Sequence, residues 1–361
     1  MQNVFLESHN IKNLNFGFGK FNYHLIKELN NEMPQDFRIT LHSKDIKTLK
    51  DEFGNTFDYK KYYGFRRYKP LSIRKRYDLW HSMNQNISIE PYHNDIPYLL
   101  TVHNISHIKD EKNYKNEKNH ILFQEKLNRS DSIVYISNYA KSSTHKYFNV
   151  PKVNEHVIYN GNTIPKITLN EDYTPNFKTT QPYLFTIGEI TYRKNFKSLI
   201  AFLIALKNKD YNLIIAGKKN TKAAKEIEDL ITKYNLSHRV HLLGKISEIE
   251  KQYYYKNCEA FVFPSLREGF GLPIIEAMTF KKPVFLSNNT SLPEIGGDIA
   301  FYWDNYDPTY MADVFENGMN TFSKNENNHK EQLKKRADLF SWSNAAKAYI
   351  DIYKRLLNHT I

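Results

Sequence analysis

The sequence has little cysteine and no long apolar run. Cys258 is the single cysteine among 361 residues, which excludes an intramolecular disulfide or a cysteine metal cluster and fits a reducing compartment. The longest apolar stretch, residues 199–206, is far shorter than the roughly 20 residues that span a bilayer. No basic segment followed by an apolar run opens the chain, so no secretion signal is expected. We expect a cytoplasmic protein, either soluble or peripheral on the inner face of the cytoplasmic membrane.

Acidic residues are outnumbered by basic ones. The formal net charge is +12 and the isoelectric point is near 9.3, which favours anionic partners such as nucleic acid, acidic lipid head groups or phosphorylated substrates. Charge does not choose among these three. A chain that is 40% hydrophobic and 25% charged is globular rather than disordered, and its length suggests two domains of about 150 to 200 residues each.

Strand-like and helical patterns alternate through the first half. An apolar run at 4–6 precedes the glycine loop Gly17-Phe18-Gly19, and an amphipathic stretch with an apolar face at Phe21 and Leu25 follows. Further strand-like runs occur at 79–81, 98–102, 132–136 and 157–159. Such alternation indicates a mainly parallel sheet.

The alternation restarts after a polar segment that contains prolines. The predicted strands lie at 183–187, 211–216, 240–243, 260–263 and 283–286, and the predicted helices at 196–207, 223–234 and 247–256. We therefore predict an α/β protein with two Rossmann-like, doubly wound domains facing a central cleft, where such sheets bind ligands. The predicted boundaries are an N-terminal domain at 1–165, a linker at 166–181, a C-terminal domain at 182–340 and an amphipathic C-terminal helix at 341–361.

The stretch SLREGFGLPIIEAM, residues 265–278, places two carboxylates around a glycine turn. Gly269 and Gly271 expose backbone N–H groups ahead of a helix that begins near Leu272, an arrangement that binds anions. Glu268 in the loop and Glu276 in the helix are acceptors for hydroxyls. Together they predict a cradle for a nucleotide-sugar, although ordinary helix-boundary chemistry would favour the same residue types.

PSLREGFGLPIIEAM resembles the E-x7-E signature of retaining glycosyltransferases of the GT-B fold, in family 4 with the bacterial, mannosyltransferase-like group 1 enzymes. Other segments are similar to that family in order and spacing: NFGFGKFNYHLIKEL (15–29), TVHNIS (101–106), YISNYAKSS (135–143), VIYNG (157–161), IGEITYRKNFKSLI (187–200), LLGKI (242–246), SNNTSLPEIGGDIA (287–300) and FSWSNAAKAYIDIY (340–353). The resemblance covers nearly the whole chain. It implies a GT-B fold with a terminal helix that crosses back to the first domain.

The resemblance also implies roles for the second half. Arg193 and Lys194 would stabilise the leaving diphosphate, and Glu268 would contact the transferred sugar. Glu276 would bind the ribose of the donor, and Lys245 and Ile246 would border its base. The glycine turn would also contact the donor, through Gly269, Phe270, Gly271 and Leu272. The plain alternative for the Arg-Lys pair is a solvated basic turn. Glu189 stands where many relatives carry an arginine, which changes how the phosphates are shared.

A metal is not expected. No two aspartates lie two positions apart, so the Asp-x-Asp motif that holds a metal in many glycosyltransferases is missing. The Arg-Lys pair and the helix start can supply the positive field instead. We expect no metal and no cofactor, with the nucleotide-sugar as donor substrate.

In the first half, Gly17 and Gly19 do not complete a dinucleotide fingerprint, which disfavours hydride transfer. By resemblance they let the loop approach the diphosphate and the acceptor, and a plain turn before a helix is the alternative. His103, at the carboxyl end of a predicted strand, matches a histidine that contacts the donor sugar in the family. Asn104 stands where the family usually has aspartate. The alternative interpretation of His103 is a histidine whose ring is hydrogen-bonded to the backbone and contacts no sugar.

The segment DYKKYYGFRRYKP, residues 58–70, interleaves basic and aromatic residues. It is most simply a solvated loop. Second comes a face for anionic membrane lipids, where a lipid-linked acceptor would be presented, and third a nucleic-acid surface.

Together these observations predict a retaining, metal-independent glycosyltransferase. It would move a hexosyl unit, mannosyl favoured, from a nucleotide-diphosphate sugar to a hydroxyl of a glycan or lipid-linked acceptor in bacterial surface polysaccharide synthesis, with no nucleic-acid partner. The alternatives are a membrane- or nucleic-acid-binding protein on an inactive GT-B scaffold, and a GT-B sugar-nucleotide epimerase.

Overall fold

A computed structural model gives the fold of the chain and describes residues 1–12, 14, 17–32, 36–105, 117–164, 166, 168–170, 172–207 and 210–358. The chain forms two units. The first comprises Met1–Gly161 together with Ser341–Ile361, and the second comprises Asn162–Phe340. No helix within these described ranges is both long enough and apolar enough to cross a membrane.

The first unit is a parallel sheet with helices. Its strands are β1 (Gln2–Leu6), β2 (Phe37–Ser43), β3 (Asp58–Lys61), β4 (Leu79–Ser82), β5 (Tyr98–Val102), β6 (Ser132–Tyr135) and β7 (Asn154–Val157), in the spatial order β3-β2-β1-β4-β5-β6-β7. Its helices before the second unit are α1 (Gly17–Asn31), α2 (Ile46–Phe53), α3 (Lys118–Arg129) and α4 (Asn138–Tyr147). Because β1 is buried on both faces, Val4, Phe5 and Leu6 form a continuous apolar run.

The second unit repeats this plan. Its strands are β8 (Tyr183–Ile187), β9 (Asn212–Ala216), β10 (Val240–Gly244), β11 (Ala260–Phe263), β12 (Val284–Ser287) and β13 (Phe301–Trp303), in the order β10-β9-β8-β11-β12-β13. Its helices are α5 (Phe196–Ala205), α6 (Lys222–Lys233), α7 (Glu248–Asn257), α8 (Leu272–Thr279), α9 (Leu292–Gly296), α10 (Pro308–Lys324) and α11 (Glu326–Asp338). All strand pairs in both sheets are parallel. The predicted α/β class with two doubly wound domains is confirmed.

The terminal helix α12 (Trp342–Asn358) belongs to the first unit, where it packs against α1. Its buried tyrosines Tyr349 and Tyr353 and the α1 residues Phe21 and Leu25 are the apolar stripes that the sequence predicts. Gly161 makes room for this helix, since a Cβ atom there would lie 2.2 Å from the backbone nitrogen of Trp342.

Three local predictions need correction. Gly17 and Gly19 lie in the first turn of α1 rather than in a loop before it. Residues 58–70 are not simply a loop, because 58–61 form the edge strand β3 and short 3-10 turns follow at Gly64–Arg67 and Lys69–Leu71. The strand predicted at 157–159 occupies Asn154–Val157, three residues earlier.

The segment predicted as a linker, 166–181, lies within the second unit, where its described part is bonded to α7. Gln252 accepts a hydrogen bond from the Thr168 backbone at 2.8 Å, and Glu250 accepts one from the Asn176 backbone at 3.2 Å. Tyr254 donates to the Phe177 carbonyl at 2.8 Å. The polar, proline-containing sequence prevents a regular element, so side chains of α7 satisfy its backbone instead.

Candidate active site

Glycines terminate three neighbouring strands of the second sheet. Gly188 follows β8, Gly217 follows β9 and Gly244 ends β10. Their backbones are linked, because Gly188 N donates to Ala216 O at 2.9 Å and Gly217 N donates to Gly244 O at 2.7 Å. Gly217 has φ +133°, and a Cβ atom there would lie 1.9 Å from Gly188 O. Only glycine fits so close a backbone approach.

The strand order of this sheet reverses between β8 and β11. In open α/β sheets, ligands bind outside the carboxyl ends of the strands at such a switch point. The loop after β8 contains a 3-10 turn at Tyr192–Lys194 and then Asn195 in the left-handed conformation, with φ 52°. The loop after β11 contains Ser265 and Glu268. The sequence-predicted residues of both loops therefore meet at one edge.

Glu268 lies between two cations. Its Oε1 is 2.7 Å from Lys194 Nζ, and its Oε2 is 2.9 Å from Arg193 Nη1. Ser265 donates a third hydrogen bond to Oε1 at 2.6 Å. Two cations and one carboxylate leave the cluster with a net positive charge, which suits an anionic ligand.

The three charged side chains differ in exposure. Lys194 is 9% exposed and Glu268 12%, whereas Arg193 is 45% exposed. Burial would raise the pKa of Glu268, but Lys194 and Arg193 together hold this pKa below its ordinary value. Burial lowers the pKa of Lys194, against the opposing pull of Glu268. The Lys194 ammonium also lies 4.5 Å from the centroid of the Phe263 ring, a favourable cation–π distance.

Hydrogen bonds from neighbouring segments fix the loop before α8. Ser291 donates to the carbonyls of Phe270 and Glu268, at 2.7 and 3.1 Å, and the Glu268 backbone donates to Thr290 Oγ1 at 3.0 Å. Gly271 then caps the helix with φ +124°. The predicted helix start at Leu272 is confirmed. The donor contacts expected of Gly269, Phe270, Gly271 and Leu272 stay predictions.

Glu276, the second glutamate of the motif, is buried on the face of α8 that meets α7. Its Oε1 lies 3.0 Å from Lys251 Nζ and also accepts a hydrogen bond from Thr163, while its Oε2 accepts one from Tyr255 at 2.9 Å. Burial alone would lower the pKa of Lys251, but the Glu276 and Glu248 carboxylates raise it above its ordinary value. A contact of Glu276 with ribose stays a prediction.

The remaining residues predicted to bind the donor from the second half lie on the same sheet edge. Lys245 is exposed and Ile246 half-buried, immediately after β10. Glu189 pairs with Lys218 at 3.0 Å. No group of three or more His, Cys, Asp or Glu side chains in the described part of the chain is arranged to hold a metal ion.

His103 follows β5 in the first unit and is buried. Its Nε2 donates to the Met83 carbonyl at 2.9 Å, and its backbone N–H donates to Gln85 at 3.0 Å. Burial lowers its pKa to about 4, so the ring is neutral at physiological pH and its Nδ1 is an acceptor. Gly17 is exposed and Gly19 buried at the start of α1. The roles of these three residues toward a sugar or diphosphate stay predictions.

Sequence reasoning missed several residues that organise these sites. Ser291 and Thr290 hold the glycine loop, and Lys251 and Tyr255 hold Glu276. Ser265 had a usable signal, since it lies in the loop directly after a strand. The others come from distant helices and loops and carry no local pattern.

Two Rossmann-like units in one chain, with a cation–carboxylate cluster at the switch point of the second, match the architecture of GT-B glycosyltransferases. Family comparisons agree. Residues 40–162 match Glycosyltransferase Family 4, and residues 170–340 match Glycosyl transferases group 1. The chain belongs to this family of glycosyltransferases.

Individual relatives extend over most of the chain. O-antigen chain mannosyltransferase B of Escherichia coli is 28% identical over 327 residues, which is 81% of this chain and 82% of the relative. A sucrose-phosphate synthase from Thermosynechococcus elongatus has the same fold, with a TM-score of 0.73, 18% identity and coverage of 99% of this chain and 100% of that one. The Anabaena protein HepE, solved with UDP and glucose, gives a TM-score of 0.68 at 16% identity, over 98% and 99% of the two chains.

Proposed function

We propose that the protein is a retaining, metal-independent mannosyltransferase of surface polysaccharide synthesis, with a nucleotide-diphosphate sugar as donor and a glycan or lipid-linked acceptor. The observation that carries this proposal is the cluster of Lys194, Arg193 and Glu268 at the start of α8. Relatives named as O-antigen mannosyltransferases support the sugar and the acceptor class. A structural neighbour that binds UDP-glucose supports a nucleotide-sugar donor.

In the proposed reaction, an acceptor hydroxyl attacks the anomeric carbon of the donor as the bond to the diphosphate breaks. The departing phosphate oxygen takes the proton of the hydroxyl. Lys194 and Arg193 stabilise the negative charge that develops on the diphosphate. The α8 N-terminus adds backbone donors and the positive end of a helix dipole. Glu268 holds both cations in place and accepts a hydrogen bond from a hydroxyl of the sugar.

The donor is identified by a thermal-shift screen of GDP-, UDP- and ADP-sugars, because a ligand that binds only the folded state raises the melting temperature. GDP-mannose is expected to give the largest shift. Turnover is then followed as nucleoside-diphosphate release, with NMR of the product to assign the anomeric configuration. Unchanged turnover in EDTA and retention of configuration are the expected results. Loss of turnover in EDTA, or an inverted product, refutes the corresponding part of the proposal.

We also propose that the first unit docks on anionic lipid through its aromatic-basic segment, residues 58–71. Tyr63, Phe65, Tyr68 and Leu71 are all exposed there, Tyr68 by 61%. Arg66 and Arg67 lie over the Tyr63 and Tyr68 rings, at 5.1 and 5.8 Å from the centroids. Exposed aromatic tips beside cations suit a lipid head-group layer.

A cavity of about 340 Å³ adjoins this surface. Its lining includes Tyr68 and Leu122, four cations and two glutamates, Glu90 and Glu125. Glu90 pairs with Lys126 and Arg129, which leaves Arg67 and Lys118 as the cations for a phosphate beside the apolar side chains that suit an acyl chain.

Binding to vesicles of phosphatidylglycerol and phosphatidylcholine tests the surface. Phe65→Ser with Tyr68→Ser is expected to abolish sedimentation with the anionic vesicles, whereas Leu339→Ser, at a residue 59% exposed in the second unit, is expected to leave it unchanged. Equal sedimentation of all three proteins contradicts the assignment.

A further inference from the structure

A buried carboxylate binds two imidazoles at the carboxyl ends of β1 and β2. Glu7 Oε2 lies 2.7 Å from His9 Nδ1, and Glu7 Oε1 lies 2.7 Å from His42 Nδ1. Glu7 and His42 have no exposed side-chain surface, whereas His9 is 22% exposed. Within this cluster, His9 is therefore accessible to a ligand, whereas Glu7 and His42 are not.

Proton positions in this cluster follow from the carboxylate. Burial would raise the pKa of Glu7, but hydrogen bonds from His42 and His9 hold it below its ordinary value. An ionised carboxylate only accepts, so both Nδ1 atoms donate to it. In each ring Nε2 is then the nitrogen that is not bonded to Glu7.

Neither Nε2 atom is paired within the described residues. Among the described residues, His42 Nε2 is buried without a hydrogen-bond partner and the His9 ring is hydrogen-bonded to Glu7 alone. Buried polar atoms in folded proteins almost always have partners, so the buried His42 Nε2 calls for an explanation such as an ordered water, whereas the partly exposed His9 ring can meet solvent or a ligand. The Tyr62 ring lies against both imidazoles, with centroids 4.6 Å from His9 and 5.3 Å from His42.

The cluster lies beside the switch point of the first sheet, because Glu7 and His9 follow β1, the strand that borders it, while His42 lies on β2. The strand order reverses between β1 and β4, and the Glu7 backbone donates to the carbonyl of His81 at the β4 end at 3.0 Å. His103 follows β5 at the same edge. This is the position where doubly wound sheets bind ligands.

The chemistry of the cluster selects the ligand. With Nδ1 of His9 bonded to Glu7, Nε2 is the ring nitrogen left for a ligand, and a hydroxyl, which both donates and accepts, can pair with it. The buried charge of Glu7 disfavours a phosphate directly at the ring. Lys44 Nζ, 5.0 Å from the Tyr62 centroid, adds a further donor at the rim. A polyhydroxylated ligand matches these groups.

We propose that His9, oriented by Glu7, binds a hydroxyl of the saccharide acceptor and is a positioning residue for transfer. The inference rests on the proposed function, because it assigns the acceptor side of that reaction. Glu7 fixes which ring nitrogen faces the ligand, and His42 supports Glu7 from the β2 side. Glu7 and His42 thus act through His9.

Two substitutions of His9 separate recognition from a merely structural role. His9→Gln places its amide oxygen near the position of Nε2, whereas His9→Asn retains a donor near the position of Nδ1. With GDP-mannose as donor and octyl α-mannobioside as acceptor, His9→Asn is expected to raise the acceptor KM at least about tenfold, and His9→Gln less than about threefold. Donor hydrolysis is expected to be unchanged in both. The reverse order, or equal acceptor KM values, overturns the proposal.

His145 provides the matched control, because it also pairs with a glutamate, Glu155, at 2.7 Å, but at the β7 edge. His145→Asn is expected to leave the acceptor KM unchanged. A second readout needs no donor: mannobiose, maltose and N-acetylglucosamine are tested for protection of His9 from diethylpyrocarbonate in the wild-type protein. Protection of His9 but not of His145 by at least one saccharide supports the inference, and protection by none overturns it. Failure of the proposed function shows separately, as absence of nucleotide release from wild-type protein.

Discussion

The two glutamates of one motif, Glu268 and Glu276, have opposite environments. Glu268 lies in a loop at the sheet edge, between Lys194 and Arg193, with part of its surface open to solvent. Glu276, eight positions later, is only 3% exposed and faces Lys251 inside the α7–α8 contact. Both are carboxylates paired with cations, but the first pair is partly open to solvent and the second is almost fully enclosed.

The difference distinguishes a carboxylate that fixes two cations at a candidate ligand site, Glu268, from one that connects two helices inside the protein, Glu276. Lys194 and Arg193 come from the loop after β8, so Glu268 links two loops of the switch point. Glu276 links α8 to α7 and, through Thr163, to the start of the second unit. We therefore expect substitutions of Glu268 to act chiefly on turnover and substitutions of Glu276 chiefly on stability.

The largest effect is expected from Glu268→Gln. Without the carboxylate charge, Lys194 and Arg193 repel one another and lose their shared orientation at the diphosphate. We expect kcat/KM to fall about 100- to 1,000-fold, the size typical of losing one preorganised group that stabilises the transition state. Steady-state release of nucleoside diphosphate measures it. A near-normal kcat/KM of the Glu268→Gln enzyme would contradict the expectation that Glu268 acts on turnover.

Glu276→Gln is expected to lower stability more than Glu268→Gln does. It leaves Lys251 with Glu248, at 2.6 Å, as its remaining carboxylate partner, so the loss is expected to be below the cost of about 3–5 kcal/mol for a buried charge left with no counter-charge. The double substitution Lys251→Met with Glu276→Leu removes both charges and is expected to recover most of this loss. Urea unfolding of the three variants measures the free energies. Equal stability of Glu276→Gln and wild type would show that this pair is not structural.

The glycine between the two glutamates gives a smaller effect. Gly271 has φ +124°, and an added Cβ would lie 2.9 Å from the flexible end of Ile274, so strain dominates over collision. Gly271→Ala is expected to lower the free energy of unfolding by about 1–3 kcal/mol and to reduce donor affinity by displacing the loop. Gly17→Ala, at an exposed glycine with open space around it, is the matched control for stability. A fully stable Gly271→Ala protein would contradict the proposed strain.

The smallest effect is expected from lowering the pH, which changes the contribution of Glu268 to the free energy of unfolding. The pKa of Glu268 lies below its ordinary value of 4.5, so the folded state binds this proton less tightly than the unfolded chain. The stability contributed by the ionised side chain is complete above pH 4.5 and is lost as the pH falls through the folded-state pKa. The difference in unfolding free energy between wild type and Glu268→Gln should therefore shrink below that pH. A difference that grows in acid would mean that the pKa of Glu268 is raised in the folded state rather than lowered.

Sequence patterns predicted the elements that local chemistry specifies. The start of α8 follows from the glycines and Pro273, and the apolar stripes of α1 and α12 follow from helical periodicity. The loop residues Lys194 and Glu268 could be placed together, because carboxyl ends of parallel strands share one edge of a sheet. Their mutual distance, 2.7 Å, could not be predicted.

What the sequence could not predict depends on partners far along the chain. Glu276 is buried because Lys251, on a different helix, neutralises it, and no pattern joins these two positions. The cluster of Glu7, His9 and His42 requires β1 and β2 to be neighbours, which is a property of the sheet order. Gly17 was expected in a loop, but glycine is also tolerated in a first helical turn, where the structure has it.

The central claim is that Lys194 and Arg193, held by Glu268, bind the diphosphate of the donor. Calorimetric titration of GDP and UDP into wild type, Lys194→Met and Lys197→Met tests it most directly, because Lys197 is a nearby lysine that is 61% exposed. We predict that Lys194→Met weakens binding of the preferred nucleotide at least about tenfold, a loss of about 1.4 kcal/mol in binding free energy. We predict that Lys197→Met binds that nucleotide with the affinity of wild type. Equal affinity of all three proteins for both nucleotides would contradict the claim.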